Sequence, residues 1–219
     1  MLALERIAVV DDDESTLKAL VRMLTQNGRE VFAFSSAMDF IAFAEKETVL
    51  CVVSDLWMPE ISGLELQRLL AERMPRIAMI ILTGRADVPS SVNALKLGAV
   101  DFLEKPIQRA QLLDAVARAT ARARDNTEKL AVLSELERRY CELTPRECEV
   151  LGLLAMGLLN KQIGAQLGAA EKTIKQHRGV IMRKMRAESF ADLVLMAALL
   201  GVRPSTLDVA QAKGLLRMN

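Results

Sequence analysis

Residues 49–59 read Val-Leu-Cys-Val-Val-Ser-Asp-Leu-Trp-Met-Pro, a short apolar run that ends on an aspartate and a proline-containing loop. An apolar run of this length, rich in β-branched residues and bounded by turn residues, is typical of a buried strand. Similar runs occur at 7–10, 31–34, 77–82 and 101–103, with helical periodicity between them. Strands that alternate with helices in this way predict an α/β domain with a doubly wound, five-stranded parallel sheet and helices on both faces.

Polar side chains follow four of the five predicted strands. Asp11 and Asp12 follow the first strand, Asp55 the third, Thr83 the fourth and Lys105 the fifth. Because the carboxyl ends of parallel strands share one edge of the sheet, these side chains should meet in one crevice. Clustered carboxylates suit Mg²⁺, and an aspartate can act as a nucleophile that accepts a phosphoryl group. A neighbouring hydroxyl and ammonium would then stabilise the charge on that group.

The order and spacing of these polar residues resemble the receiver domain of two-component response regulators, over residues 5–120. The resemblance implies a flavodoxin/CheY-like fold, and it implies that a sensor histidine kinase phosphorylates Asp55. It further implies that Mg²⁺ is bound directly by Asp12, Asp55 and the main-chain carbonyl of Trp57, whereas Asp11 acts through a water molecule.

The same resemblance assigns the surroundings of the phosphoryl group. Thr83 and Lys105 would bind its oxygens, helped by a backbone N–H from Met58 or Gly84. Phe102 occupies the position of the family's switch aromatic. The Lys105–Pro106 step matches one at which the family has a cis peptide bond, which is rare enough elsewhere to be a functional feature.

The stretch that follows the predicted sheet domain is helical throughout. Residues 108–143 hold no glycine or proline and keep a helical apolar period, with a break expected at Asp125–Asn126. We therefore divide the chain into a receiver domain over 1–120, a helical linker over 121–142, a second domain over 143–203 and a tail over 204–219. The linker is either a solvated spacer or a dimerising seam.

The charges divide unevenly between the two domains. The whole chain carries 29 Lys+Arg against 28 Asp+Glu, a balance that by itself argues against a polyanionic partner. Residues 1–107, however, hold 11 basic against 16 acidic residues, whereas residues 143–203 hold 9 against 5. A basic helical module suggests nucleic acid as its partner.

The second domain is predicted to be entirely α-helical, with helices at 145–156, 160–167, 171–185 and 189–200. The second and third helices, joined at Gly168, form a helix-turn-helix. In this motif the start of the second helix enters the major groove, while flanking basic residues bind phosphates. Lys172, Lys175, Gln176, Gly179 and Arg183 lie opposite the predicted inner face of Ile174, Ile181 and Met185.

Residues 143–203 resemble the LuxR-type DNA-binding module, through Leu143–Glu147, Asn160–Gly164, Glu171–Arg178 and Ile181–Met185. Together, the two domains resemble the NarL/FixJ class of response regulators, and within it the FixJ-like branch. The resemblance implies that Lys175 and Gln176 read bases. The residues it places on DNA phosphates are Lys161, Lys172, Thr173 and Arg178.

Two positions of the recognition helix depart from the family pattern. Ala170 replaces the usual N-cap serine, which costs about 0.5–2 kcal/mol of helix stability. Gly179 lies in the helix interior, at a cost of about 1 kcal/mol relative to alanine. We therefore expect DNA affinity to depend on dimerisation.

The resemblance implies a phosphorylation-activated transcriptional regulator. Receivers would pair on phosphorylation through the surface around Val92, Leu95 and Lys96. Leu193, Ala197 and Leu200 share a face of the last predicted helix, and we expect them to add a dimer contact. The expected partners are a cognate sensor histidine kinase, promoter half-sites in double-stranded DNA, a second copy of the chain and RNA polymerase.

Two alternative functions fit these residues less well. A phosphatase with an aspartate nucleophile needs a second carboxylate two residues later, where this sequence has Trp57, so no enzyme is expected. A receiver that serves only as a protein-interaction module would not need the complete acidic site.

Composition predicts a cytoplasmic protein without a membrane segment. Charges at Glu5 and Arg6 interrupt the start of the chain, and its apolar runs are far shorter than the roughly 20 residues that span a bilayer. Cys51, Cys141 and Cys148 have no spacing typical of a disulfide framework or a zinc site.

Overall fold

The computed structural model describes residues 5–84 and 98–202. The chain forms two compact units, Met1–Glu128 and Lys129–Asn219. This division falls inside the predicted linker, and each unit is described by itself below.

The N-terminal unit is built on a five-stranded parallel sheet, as predicted. The strands are β1 Arg6–Val10, β2 Glu30–Phe34, β3 Cys51–Asp55, β4 Ala78–Thr83 and β5 Asp101–Glu104. Their order is β2-β1-β3-β4-β5, with every neighbouring pair parallel. Asp55 and Thr83 are the last residues of their strands, so strand geometry fixes where both side chains begin.

Described helices cover both faces of this sheet. They are α1 Glu14–Thr25, α2 Ala37–Ala44, α3 Gly63–Arg73 and the first part of α4 Arg109–Cys141. Successive β3 residues face opposite sides: Val52 packs with α2 and α3, and Val53 packs with α1 and α4. All residues of β3 and β4 are buried, which explains their continuous apolar pattern.

Helix α4 is continuous, so the predicted break at Asp125–Asn126 is wrong. The Asn126 amide donates a hydrogen bond to the main-chain oxygen of Pro75 at 3.0 Å, and Arg124 pairs with Glu5 at 2.9 Å. Ala123 is fully buried in the core of the N-terminal unit. These contacts hold the helix to the sheet domain beyond residue 120, where a separate linker was expected.

The last turns of α4 belong to the C-terminal unit. Leu136 is buried in that unit's core, and the Arg139 guanidinium donates to the main-chain oxygen of Met185 at 3.1 Å. Since a helix C-terminus leaves carbonyl oxygens without intrahelical donors, Arg139 supplies one of the missing partners. The predicted linker over 121–142 is therefore not a free spacer: its two ends contribute to two different cores.

The remaining helices form the rest of the C-terminal unit. They are α5 Pro145–Ala155, α6 Asn160–Leu167, α7 Glu171–Met185 and α8 Phe190–Leu199. Thr144 and Glu147 form the capping box expected before α5, and Glu147 also pairs with Lys184 at 2.7 Å. Within the described ranges 5–84 and 98–202, no helix combines the length and apolarity that a membrane crossing requires.

Candidate functional site

A lysine bridges two carboxylates at the carboxyl edge of the sheet. The Lys105 ammonium lies 2.6 Å from Asp55 Oδ1 and 2.7 Å from Asp11 Oδ2. Asp11 follows β1, Asp55 ends β3 and Lys105 follows β5, so residues far apart in sequence meet in one crevice. The sheet thus brings together two carboxylates and a positive charge that bridges them.

Main-chain contacts orient these side chains. The backbone N–H of Trp57 donates to Asp55 Oδ2 at 2.8 Å, and that of Asp13 donates to Asp11 Oδ1 at 3.0 Å. The backbone N–H of Lys105 donates to the carbonyl of Thr83 at 2.7 Å, and the following bond to Pro106 is cis, as expected. These bonds fix both carboxylates and the start of the lysine side chain.

Gly63 is part of this arrangement through its backbone. Its N–H donates to the carbonyl of Leu56 at 2.9 Å. A Cβ at this position would lie 2.6 Å from the main-chain oxygen of Asp55, closer than side chains approach backbone. The loop after β3 can fold back against Asp55 only because residue 63 has no side chain.

Burial and ion pairing act in opposite directions on the charges of the site. Burial raises the pKa of Asp11, and its hydrogen bond from Lys105 offsets only part of that effect. Burial by itself would lower the pKa of Lys105, but hydrogen bonds to Asp11 and Asp55 raise it overall. Lys105 therefore stays charged at neutral pH and acts as the counter-ion of the two carboxylates.

The donor atoms of the crevice suit a hard dication. Asp11 and Asp55 are buried, and Asp12, which follows Asp11 in the sequence, is exposed. All are oxygen ligands of the kind that Mg²⁺ prefers. Among the described residues, no group of three or more His, Cys, Asp or Glu side chains is arranged around a metal position. The Lys105 ammonium offsets the negative charge of Asp11 and Asp55.

The other predicted residues of the site lie nearby along the strands. Thr83 is fully buried at the end of β4, and Gly84 is exposed directly after it. Phe102, the predicted switch aromatic, is half-buried in β5 and packs against the core under α2 and α3. The predicted receiver pairing surface of Val92, Leu95 and Lys96 lies outside the described residues.

A second candidate site is the exposed face of α7. Lys172, Lys175 and Gln176 are exposed, as predicted, and Lys161 is exposed on α6. The opposite face, with Ile174, Ile181 and Met185, is fully buried. Helix α7 thus packs into the core through its apolar face, and its basic face is exposed to solvent. Thr173 and Arg178 are half-buried at the margin.

One margin residue has a partner that the sequence did not predict. The Arg178 guanidinium lies over the ring of Phe190, with its central carbon 4.0 Å from the ring centroid. Phe190 begins α8, so the contact joins two helices. Helical periodicity relates residues of one helix only, and it gives no signal for such a pair.

The recognition helix lacks a side-chain cap, as its sequence predicts. Ala170 has the extended backbone of an N-cap residue but no capping hydrogen bond, and Gly168 supplies the left-handed turn before it. We expect Ala170→Ser to stabilise the C-terminal unit by about 0.5–2 kcal/mol, because a hydroxyl would satisfy a free N–H of α7. Urea unfolding followed by circular dichroism measures this.

Ala165→Ser is the matched control, since Ala165 is exposed on α6. It should be neutral or slightly destabilising. Equal effects of the two serines would contradict the capping explanation.

The predicted dimer contact of the last helix needs correction. Leu193 and Ala197 are fully buried in the core of their own unit, and Leu200 is half-buried against it, so they present no free face to a second chain. The large exposed apolar residues of α8 are Leu195 and Leu199, each more than half exposed. The helical period was correct, but it identified the inward face.

Leu195 and Leu199 border an apolar groove of about 450 Å³ between α8 and the end of α4. Val132, also more than half exposed, lies on the α4 side of this groove. Single exposed apolar residues are ordinary on a protein surface, and the charged residues Glu135, Arg139 and Asp192 also line this groove.

Comparison with known proteins gives the same two-part division. Residues 7–117 match the response regulator receiver domain family, and residues 142–197 match the luxR family of bacterial regulatory proteins. Nodulation protein W of Bradyrhizobium diazoefficiens is 42% identical over 94% of this chain and 90% of its own length. Transcriptional regulatory protein FixJ of Rhizobium meliloti is 39% identical over 91% of this chain and 98% of its own.

Solved structures agree with this comparison. The response regulator StyR superposes with a TM-score of 0.69 at 37% identity, covering 90% of this chain and 99% of its own. The N-terminal part of FixJ superposes with a TM-score of 0.51 at 43% identity, covering 53% of this chain and 94% of its own.

Proposed function

This chain belongs to the response regulators that join a receiver domain to a LuxR-type DNA-binding domain, in the FixJ-like group, and we propose that Asp55 is its phosphoacceptor. It is a phosphorylation-dependent transcriptional regulator of a two-component system. The proposal rests on one observation above all: a buried carboxylate at a strand end lies 2.6 Å from a fixed ammonium.

The chemistry follows from that pair. An oxygen of Asp55 attacks the phosphorus of a phosphohistidine on a sensor kinase, the P–N bond breaks and the freed histidine takes up a proton. The product is an acyl phosphate, and the Lys105 ammonium balances the charge on its oxygens. The Thr83 hydroxyl and the backbone N–H of Gly84 are the further donors that we assign to these oxygens.

Mg²⁺ fits the donor set of this crevice. We assign Asp12, Asp55 and the main-chain carbonyl of Trp57 as its direct ligands, with Asp11 acting through water. When bound, the ion would neutralise the charge of the carboxylates and the incoming phosphoryl group. Burial raises the pKa of Asp11, so this carboxylate takes up a proton at a higher pH than an ordinary aspartate does. As the pH falls, Mg²⁺ binding should therefore begin to weaken at a higher pH than it would with an aspartate of ordinary pKa.

We further propose that phosphorylation promotes dimerisation and binding to promoter half-sites. Lys175 and Gln176 are the base-reading candidates, and the phosphate-binding candidates are Lys161, Lys172, Thr173 and Arg178. RNA polymerase is a further proposed partner, and no enzymatic turnover of an external substrate is proposed.

Beryllofluoride, a phosphoryl mimic, tests the proposal in the presence of Mg²⁺. We expect it to change the fluorescence of Trp57, the only tryptophan, to convert monomers to dimers by light scattering, and to raise DNA affinity. Asp55→Asn should abolish all three responses. The proposal would be contradicted if beryllofluoride changed neither the oligomeric state nor the DNA affinity, and if Asp55→Asn behaved like the parent chain.

Replacing Lys105 by methionine should separate metal binding from switching. The ammonium competes with a dication for Asp11 and Asp55, so its removal should tighten Mg²⁺ binding by roughly tenfold. The same change should abolish the oligomeric response to beryllofluoride, because the charge partner of the phosphoryl group is lost. A Mg²⁺ titration of Trp57 fluorescence measures the first effect.

Lys18→Met is the control for this substitution, since Lys18 is exposed on α1 and pairs with Glu14. It should leave both readouts unchanged. Weaker Mg²⁺ binding in Lys105→Met would show that the lysine does not compete with the metal.

A further inference from the structure

The stacked pair of Arg178 and Phe190 holds an arginine without using its hydrogen-bond donors. The guanidinium carbon lies 4.0 Å from the ring centroid, a distance at which cation and ring attract each other. A contact with the face of a ring provides no oxygen or nitrogen acceptor, so the N–H donors of the guanidinium can still bind other groups. The contact therefore restricts the side chain while its donors remain free.

The surroundings of Arg178 supply no carboxylate for those donors. Several other arginines of the same unit are paired: Arg138 and Arg139 with Glu135, and Arg146 with Glu149. By contrast, Arg178 forms no ion pair with any residue in 5–84 or 98–202. A half-buried arginine whose only partner is a ring is suited to bind an external anion.

The position of the pair indicates which anion. Arg178 lies on α7 one turn after Lys175 and is half-buried at the edge of the exposed basic face. Residues that flank a recognition helix in this way contact the phosphates on either side of the groove. A planar guanidinium matches the two oxygens of a phosphate better than a mobile ammonium does.

We propose that Phe190 is a positioning residue for DNA binding: its ring holds the Arg178 guanidinium in the orientation that binds a backbone phosphate. The proposal rests on the proposed function of α7 as the recognition helix. It adds that affinity depends on a residue of α8 that need not touch DNA. Since the ring fixes the arginine before binding, less side-chain freedom is lost when the phosphate is bound.

The test is a double-mutant cycle in the full chain with beryllofluoride and Mg²⁺. The probe is a mixed-sequence DNA duplex long enough for two half-sites, titrated at several salt concentrations. Phe190→Leu keeps an apolar residue in the core but removes the ring, and should weaken binding roughly threefold to tenfold. Phe190→Tyr keeps the ring and should bind like the parent chain.

Arg178 supplies the second side of the cycle. Arg178→Ala should weaken binding and reduce the slope of log affinity against log salt by about one, as expected for one lost phosphate contact. In that background, Phe190→Leu should have no further effect on affinity. Arg183→Ala is the matched control: Arg183 is exposed on the same helix, and its effect should add to that of Phe190→Leu.

The possible results distinguish a failure of the proposed role of Phe190 from a failure of the proposed DNA-binding function. If Phe190→Leu weakens binding equally with and without Arg178, the ring serves only the packing of α8 and the inference is wrong. If Phe190→Leu unfolds the unit, Phe190→Tyr and Arg178→Lys still decide, because lysine keeps the charge but loses the planar stack. If the parent chain shows no salt-dependent binding to the duplex, the proposed DNA-binding function itself fails.

Discussion

Alanine at position 63 is expected to destabilise the N-terminal unit by about 1–3 kcal/mol and to abolish its response to beryllofluoride. The added Cβ would lie 2.6 Å from the main-chain oxygen of Asp55 and 3.1 Å from the Cα of Leu56. Both contacts are with backbone, so no side-chain rotation relieves them. The loop must move away from β3, and it carries the Trp57 N–H that orients Asp55.

Urea unfolding and the beryllofluoride response of Trp57 fluorescence measure the two effects. Gly179→Ala is the matched control, because nothing lies within 4 Å of a Cβ at that position of α7. It should stabilise the C-terminal unit by about 1 kcal/mol and leave Trp57 unaffected. If the Trp57 fluorescence of the Gly63→Ala chain still changes on addition of beryllofluoride, the loop adapts without disturbing Asp55.

Leu136→Ala is expected to cost the C-terminal unit about 2–5 kcal/mol, the usual range for a buried leucine. Leu136 is only 4% exposed and packs in the core with α5, α7 and α8, although it lies on the helix that begins in the sheet domain. The truncation leaves a cavity that helices fixed on several sides cannot close. DNA affinity should fall in proportion to the fraction of the C-terminal unit that remains folded.

The chain carries an internal reference for this measurement. Trp57 reports unfolding of the N-terminal unit, and its transition should not move, while the helical circular dichroism signal of the C-terminal unit should be lost earlier. Val132→Ala on the same helix is the control, because Val132 is 57% exposed and should change stability little. Equal losses in the two variants would contradict a core position for Leu136.

Elements with a strong local signal were predictable from the sequence. The β-branched apolar runs predict the five strands, and the polar residues at the strand ends predict the crevice. The helix-turn-helix came from opposed faces around a glycine turn. In each case the information lies within a few consecutive residues, or in a general property of parallel sheets.

The features that sequence reasoning missed depend on which surface another element covers. Leu193 and Ala197 share a helical face, but a pattern does not say whether that face meets the chain's own core or a second chain. Asp125 and Asn126 are weak helix formers, yet the Asn126–Pro75 contact holds the helix through this point. The Arg178–Phe190 pair and the approach of Gly63 to Asp55 are likewise tertiary contacts.

The continuity of α4 restricts how this regulator can exchange domains with its relatives. A chimera joined at residue 120 would replace the buried Ala123 of the sheet domain, and one joined at 142 would replace the buried Leu136 of the DNA-binding unit. With a junction between these two residues, each domain keeps the buried residue that α4 contributes to its core. We therefore expect junctions between Ala123 and Leu136 to preserve both cores, and junctions at residue 120 or 142 to disturb one of them.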